Sequence, residues 1–581
     1  MKSVLLAIVF VIPSVGVCQS PFLAPNKQPT FREVQQSSLY VPMRDGVRIA
    51  IDVLLPKELR ADQRVPTIFK FSSFGRAAVD GSVSEEDRFW VQHGFARVLV
   101  DERGTGASFG KSCYGAAMIP DLYDFVDWVV KQPWSNGRVG AIGISVEGNA
   151  AELLAATHHP AVRAVAPWFS DWNYYTDLVR PGGLFNEWIL KNFEEFTLRQ
   201  DSGASAKVVD GDIGGLEMRQ AIAEHRNNLN IYSSERDAPF LDDRVGDTGK
   251  DLLGLSVAGA ASLLSESGVP MLIFSSWYDA GTAQGTIQRF QTIPNPQQVF
   301  VGAWSHGGKY NADPFRNDRR ADPDKQQQRL EALAFFDYYL KDDSAKSAQV
   351  KRFHYYVVGE DRWRSTDVWP PRGQQRATYH LNPNGTLDQT AASGKREVML
   401  QPTSTGDSNR WRTQLGGGVI DYSGVLPEMS HLTSFVTETF QTSVELTGQP
   451  ILRLRMAFSP NDDPSVVVYL LEIGPDGEVS YLTEGHLRLL QRKLNTAQQT
   501  LHSYKRQDAS ALPTMQDIVA DMTLLPLSVL IRKGGHLELL LSSGDNATFT
   551  ESSEFKAILS SASTLELPVR HSTGVLVNER K

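Results

Sequence analysis

Residues 139–148, VGAIGISVEG, constrain this chain more than any other stretch. Small, β-branched and apolar residues run into Gly-Ile-Ser-Val-Glu-Gly, and residues 149–157 (NAAELLAAT) follow with the Ala- and Leu-rich texture of a helix. The reading is a strand, a sharp turn and a helix, with Ser145 at the apex. Such a turn forces its central residue into a strained backbone that is tolerable only between small neighbours, and Gly143 and Gly148 supply them. The Ser145 hydroxyl is then held out over the edge of a sheet.

The rest of the chain has to provide that sheet. At 581 residues it is too long for one core, and roughly 100–200 residues per domain gives about three or four units. A net charge of −9, with no long run among its 58 basic residues, argues against a nucleic-acid partner, because phosphate binding needs clustered Lys and Arg. Residues 1–18 carry Lys2, an apolar segment over 4–17, and small residues Ser14, Gly16 and Cys18 at the end. That span is too short to cross a bilayer and has the layout of a signal peptide, so a secreted or periplasmic protein beginning at Gln19 is expected, with no transmembrane span. A lipid anchor on Cys18 is the weaker alternative, since Val17 stands where a small residue is wanted. Cys113 is then the only cysteine of the mature chain and reads as a buried small residue.

Residues 38–55 alternate apolar and polar around Arg44-Asp45-Gly46, an antiparallel hairpin. Short apolar runs at 65–71, 96–100 and 139–144 are separated by helical patterns at 85–93 and 121–131, which is the texture of a parallel sheet covered by helices. After Trp168 the pattern becomes irregular and helical, strand texture resumes at 269–275 and 298–302, and a helix over 326–340 closes the unit. From about Val350 the period is mostly two, with the hairpin signal Gly474-Pro475-Asp476-Gly477 between apolar runs, so a β-sandwich is expected there.

G-x-S-x-x-G resembles the nucleophile elbow of α/β-hydrolases, G-x-S-x-G, with the second glycine one residue later. Together with YVPMRDGVRIAIDVLLP (40–56), DERGTGASFG (101–110), QPWSNGRVGAIGIS (132–145) and FFDYYLK (335–341), it makes the chain similar to the X-Pro dipeptidyl-peptidase/cocaine-esterase superfamily, which also holds α-amino-acid ester hydrolases and glutaryl acylases. The resemblance runs from about Tyr40 to the C-terminus. It implies an α/β-hydrolase core at 34–172 and 266–345, a helical cap inserted at 173–265, and a jelly-roll β-sandwich at 346–581.

A serine hydroxyl needs a neighbouring base, itself oriented by a carboxylate, and α/β-hydrolases place these in the order Ser, Asp or Glu, His. Asp279 in WYDAG and His306 in GAWSHGG each follow an expected strand. Alone, Asp279 also reads as a helix N-cap and His306 as a loop histidine; with the elbow and the family's W-x-D and G-x-W-x-H contexts, the three read as a catalytic triad. Asp101 and Arg103 read as structural charges in a strand-end loop. No metal-ligand spacing appears, and no cofactor is expected.

One oxyanion donor is expected to be the backbone N–H of Val146. In the cocaine-esterase and amino-ester hydrolase branches the other is a tyrosine hydroxyl, and alignment places Phe74 there, which cannot donate unless Ser72 or Ser73 substitutes. The acidic clamp of amino-ester hydrolases falls on Gly281 and Thr282, and the aryl-pocket tryptophans of cocaine esterase on Leu178 and Phe193. Trp168, Trp172, Trp277 and Tyr278, with Tyr174 and Tyr175, give an aromatic rim suited to an apolar acyl group, although aromatics beside a sheet also serve as packing. The expected activity is hydrolysis of a small ester or amide. The alternatives are a dipeptidyl-peptidase acting on X-Pro peptides, and a catalytically weak protein that binds a ligand through its β-sandwich.

Overall fold

The computed structural model describes residues 21–342, 350–459, 463–495 and 498–570, so the expected signal peptide lies outside the described residues. The first unit is built on ten strands: β1 (Val34–Pro42), β2 (Arg48–Pro56), β3 (Val65–Ser72), β4 (Ala96–Asp101), β5 (Ser135–Ile144), β6 (Val162–Trp168), β7 (Met271–Ser276), β8 (Gln297–Gly302), β9 (Lys351–Val357) and β10 (Arg362–Thr366). They lie side by side in the order β1-β2-β4-β3-β5-β6-β7-β8-β9-β10. The stretch that alternates around Asp45-Gly46 is the hairpin β1–β2, with Val34 facing Pro56. From β4 to β9 every neighbouring pair is parallel, and β10 turns back antiparallel on β9.

Parallel neighbours cannot be joined by tight turns, so the chain crosses over through helices that cover both faces. Ser84 caps α1 (Glu85–Gln92), its hydroxyl accepting the N–H of Asp87 at 3.1 Å, with three acidic residues in the first turn against the positive end of the helix. The apolar residues of α2 (Ile119–Val130) recur at Leu122, Phe125, Val126 and Val129, which are all buried. The face of α3 (Val146–Ala155) formed by Ala150, Ala151, Leu153 and Leu154 is buried against the sheet; small residues there let the helix come close behind the turn at Ser145.

Between β6 and β7 the chain leaves the sheet for a helical insertion: α4 (Glu187–Asp201), then short helices at Leu216–His225, Ile231–Arg236, Leu252–Leu255 and Ala261–Ser267. It is tied to the core by Lys207, which reaches the buried carboxylate of Asp52, and by Asp210, which accepts the N–H of Ser38 at 2.8 Å.

The second unit has no α-helix among the described residues; it is built on a network of thirteen strands whose first is Gln374–Leu381, with two further two-stranded pairs and short 3₁₀ turns. The hairpin signalled by Gly474-Pro475-Asp476-Gly477 is present, Ser465–Ile473 pairing antiparallel with Val479–Arg488. The expected boundary at 346 needs correction: β9 and β10 carry alternating strand texture but hydrogen-bond to β8 and continue the core sheet. Period-two texture identifies a strand and says nothing of which sheet it joins.

The Pro- and Gln-rich stretch after residue 20 is docked to the core. The Phe22 ring packs 4.9 Å from that of Phe300 and 5.0 Å from that of Trp363, and the Ala24 N–H donates to Glu331 at 2.8 Å.

Candidate active site

At the carboxyl end of β5 the backbone turns through Ser145 at φ 62° and ψ −131°, a left-handed conformation that costs a non-glycine residue about 1–3 kcal/mol. The turn is held on both sides: the Ser145 N–H donates to the carbonyl of Trp168 at 2.9 Å, and its own carbonyl accepts the N–H of Asn149 at 3.0 Å. The first glycine of the motif is sterically required and the second sits in a tight place. A Cβ at Gly143 would stand 2.2 Å from the Glu147 carbonyl oxygen, and one at Gly148 would stand 3.1 Å from the Gly143 carbonyl and from Ser170. Ser145 itself is half-buried.

Asp279 and His306 leave the neighbouring strands β7 and β8, whose last residues Ser276 and Gly302 are paired. Their side chains meet: His306 Nδ1 lies 3.0 Å and 2.9 Å from the two carboxylate oxygens of Asp279. The carboxylate is 1% exposed and the histidine 8%, so this pair is largely shielded from water. The histidine loop is packed against the serine turn. A Cβ built on Gly307 would lie 3.6 Å from Ile144, the residue before Ser145, and the His306 ring stands 6.3 Å from that of Phe169.

Val146 opens α3, so its N–H is one of the donors that a helix N-terminus leaves unpaired within the helix. Phe74 follows β3 and is covered by the cap: its ring centroid is 6.0 Å from that of Phe193 and 5.1 Å from that of Phe196, both on α4. The two hydroxyls beside it are already engaged, that of Ser72 by a hydrogen bond to the Glu147 carboxyl. Ser73 donates to Glu102 at 2.6 Å, and Ser72 accepts the N–H of Phe74 at 3.2 Å.

The aromatic rim also needs correction. Trp168, Trp172, Trp277 and Tyr278 are only 2–4% exposed, inside the core. Trp277 donates its ring N–H to the Tyr356 carbonyl at 2.8 Å, Trp168 packs on Phe274 at 4.5 Å, and Tyr278 faces Tyr481 at 6.2 Å. They shape the loops that carry the polar groups. In DERGTGASFG, Asp101 pairs with Arg76 at 2.6 Å and Arg103 with Asp121 at 2.6 Å, which fits a structural role.

Several buried carboxyls stand behind this edge without an ion pair among the described residues. Burial pushes Glu102 up to about 7, against the hydrogen bond from Ser73. Burial likewise lifts Asp177 to about 7 although it accepts the N–H groups of Trp172 and Asn173 at 3.0 Å, and lifts Glu235 of the cap to about 8. Two residues that hold the Asp279 loop carry no signal in the sequence: Asp177, whose carbonyl accepts the N–H of Gly281 at 3.0 Å, and Arg410, whose side chain reaches the carbonyls of Trp277 and Ala280. Both act through the backbone of residues far away in the chain, which no local motif encodes.

Residues 45–308 match the family described as X-Pro dipeptidyl-peptidase (S15 family), and residues 336–562 match the one described as X-Pro dipeptidyl-peptidase C-terminal non-catalytic domain. A protein of Mycobacterium bovis named as a serine esterase is 31% identical over 596 residues, covering 91% of this chain and 94% of that one. The cocaine esterase of Rhodococcus sp. is 24% identical over 490 residues, covering 79% of this chain and 83% of the other. Among solved structures, an α-amino-acid ester hydrolase superposes with a TM-score of 0.72 at 18% identity, over 97% of this chain and all of its own. Fold, strained serine turn and similarity along nearly the whole length agree: the chain is a serine hydrolase and belongs to the X-Pro dipeptidyl-peptidase (S15) family, alongside the cocaine esterases.

Proposed function

We propose that the chain is an exported serine esterase or amidase in which Ser145 is the nucleophile, His306 the general base and acid, and Asp279 the group that orients the imidazole. The observation that carries this reading is the pairing of His306 Nδ1 with both carboxylate oxygens of Asp279 in a loop packed against the residue before Ser145. A proton held on Nδ1 by Asp279 leaves Nε2 as the basic nitrogen.

In the first half of the reaction, the Ser145 oxygen bonds to the substrate carbonyl carbon as its proton passes to His306 Nε2. The tetrahedral oxyanion is met by the N–H of Val146 at the start of α3. Collapse breaks the bond to the leaving alcohol or amine, which takes the proton from His306, and an acyl ester remains on Ser145. Water then gives a proton to His306 and its oxygen to the acyl carbon, and the acid departs as Ser145 recovers its proton.

An ester is favoured over an X-Pro peptide because the relative that matches 94% of its own length is named as a serine esterase. The cap supports an apolar acyl group, since Phe193 and Phe196 close over Phe74 beside the β3 end. The test is hydrolysis of p-nitrophenyl esters of increasing chain length beside an Ala-Pro nitroanilide, with Ser145→Ala as control. Turnover of the esters, lost in the variant, is expected; cleavage of the anilide alone would assign the dipeptidyl-peptidase activity instead.

A further inference from the structure

We infer that Arg410, in the C-terminal domain, is a positioning residue for Asp279; the inference rests on the triad reading above. The segment Trp277-Tyr278-Asp279-Ala280 is gripped at both ends by this one side chain. Nη2 donates to the carbonyls of Trp277 and Ala280, both at 2.6 Å, Nε donates to Ala280 at 3.0 Å, and the Ala280 N–H returns a bond to the Arg410 carbonyl at 3.2 Å.

A guanidinium suits this task because its planar, rigid set of N–H donors engages Trp277, Ala280 and Tyr481 in fixed directions through three nitrogens, where an ammonium offers a single nitrogen on a flexible stem. Arg410 is 1% exposed and makes no direct ion pair among the described residues. Removing a cation from water costs several kcal/mol, so its place has to be maintained from behind. Nη1 donates to the Tyr481 hydroxyl at 3.3 Å, which donates to Glu484 at 2.9 Å, and Glu484 also accepts the ring N–H of Trp411. The Tyr422 ring stacks on Tyr481 at 3.9 Å and its hydroxyl accepts the N–H of Arg410 at 3.1 Å.

The held loop is strained. Ala280 sits at φ 40°, a conformation that persists only where the surroundings impose it. The same stretch of the second domain also touches the histidine loop: a Cβ on Gly417 would lie 2.7 Å from the His306 carbonyl, and Lys309 donates to the Gly416 carbonyl at 2.7 Å. One short segment therefore braces the carboxylate loop and the imidazole loop together. The family description calls this domain non-catalytic, yet it sets the register between Asp279 and His306.

The experiment uses the full chain with Arg410→Lys and Arg410→Ala, reading kcat and KM on the best ester and folding by circular dichroism. A lysine keeps the charge and loses the fork. The expected result is a folded Arg410→Lys protein with kcat lowered about 10- to 100-fold, as for small misplacements of reacting groups, and KM within about twofold of the parent. Millimolar guanidinium chloride is expected to restore part of the turnover of Arg410→Ala and none of that of Asp279→Asn. If both Arg410 variants unfold, Tyr481→Phe, which removes only the hydroxyl behind Nη1, is read instead, with a fall of about threefold in kcat expected at unchanged KM. An unchanged kcat in a folded Arg410→Lys protein, or in Tyr481→Phe where that is the variant read, overturns the inference, as does a loss confined to KM. Retention of turnover by Ser145→Ala would instead overturn the triad reading, whatever Arg410 does.

Discussion

The ring of Phe74 meets that of Phe196 at 64° with centroids 5.1 Å apart, so the segment after β3 and the cap helix α4 are joined by aromatic contact. Where the family resemblance implies a tyrosine hydroxyl, this chain has the carbon ring of Phe74. Ser73 donates to Glu102, and Ser72, 1% exposed, is hydrogen-bonded to the Glu147 carboxyl, so neither hydroxyl beside Phe74 is left idle to face an oxyanion. Phe74→Tyr is therefore expected to raise kcat about tenfold or more with little change in KM, since one such donor is commonly worth about 100- to 1000-fold. Steady-state kinetics on one ester decide it, and an unchanged kcat would count against Phe74 as the missing donor.

Asp279→Asn preserves shape and removes the charge that, in the proposed triad, fixes the His306 tautomer. Thermal stability is expected to stay close to that of the parent, because the side chain still fills its place, while kcat falls by roughly 10⁴-fold. A fall of less than tenfold would mean that the pairing at 2.9 Å is structural only.

Stability should decline as pH rises from about 5 to 8. Glu102, Asp177 and Glu235 have folded-state values pushed up by burial to about 7, 7 and 8, so between their ordinary range and those values the folded state holds more protons than the unfolded one. The stability they contribute is complete below about pH 4 and is lost as pH climbs through the folded values, each worth on the order of 3 to 5 kcal/mol. Asp52 and Asp87 run the other way: Arg76 and Lys207 at the first, and Arg97 at the second, outweigh burial and hold them low, and their contribution is lost only in acid. Urea midpoints measured from pH 5 to 8 should fall, and Glu235→Gln should flatten the slope.

Arg76 is 2% exposed and bridges Asp52 of β2, at 2.8 Å, to Asp101 of β4, at 2.6 Å, from the loop that carries Phe74. Arg76→Ala leaves buried Asp101 without its cation, while Asp52 keeps Lys207, and is expected to cost about 3–5 kcal/mol, read as a lowered melting temperature. The double variant with Asp101→Asn should recover part of that loss.

Much of the fold and of the site is legible in the amino-acid sequence, for reasons tied to particular residues. The serine turn is readable because its sterics are local: Gly143 is required by atoms of the turn itself, and Gly148 packs tightly on the turn and on the strand end beside it. Asp279 and His306 are readable because each follows a buried strand directly, and adjacent parallel strands deliver their ends to one edge. The boundary expected at 346 is misplaced because β9 and β10 alternate like sandwich strands while continuing the sheet from β8. The aromatic rim turns inward because Trp168, Trp277 and Tyr278 have partners such as Phe274, Tyr356 and Tyr481 that are distant in the chain. Arg410 escapes notice for the same reason, 131 residues beyond the carboxylate it serves.

The most direct measurement is mass spectrometry of the protein after reaction with a fluorophosphonate, which bonds only to a serine oxygen activated by its neighbours. One phosphonyl group on the peptide containing Ser145, with labelling lost in His306→Ala, is the predicted result. Labelling elsewhere, or labelling of Ser145 at the same rate without His306, would contradict it.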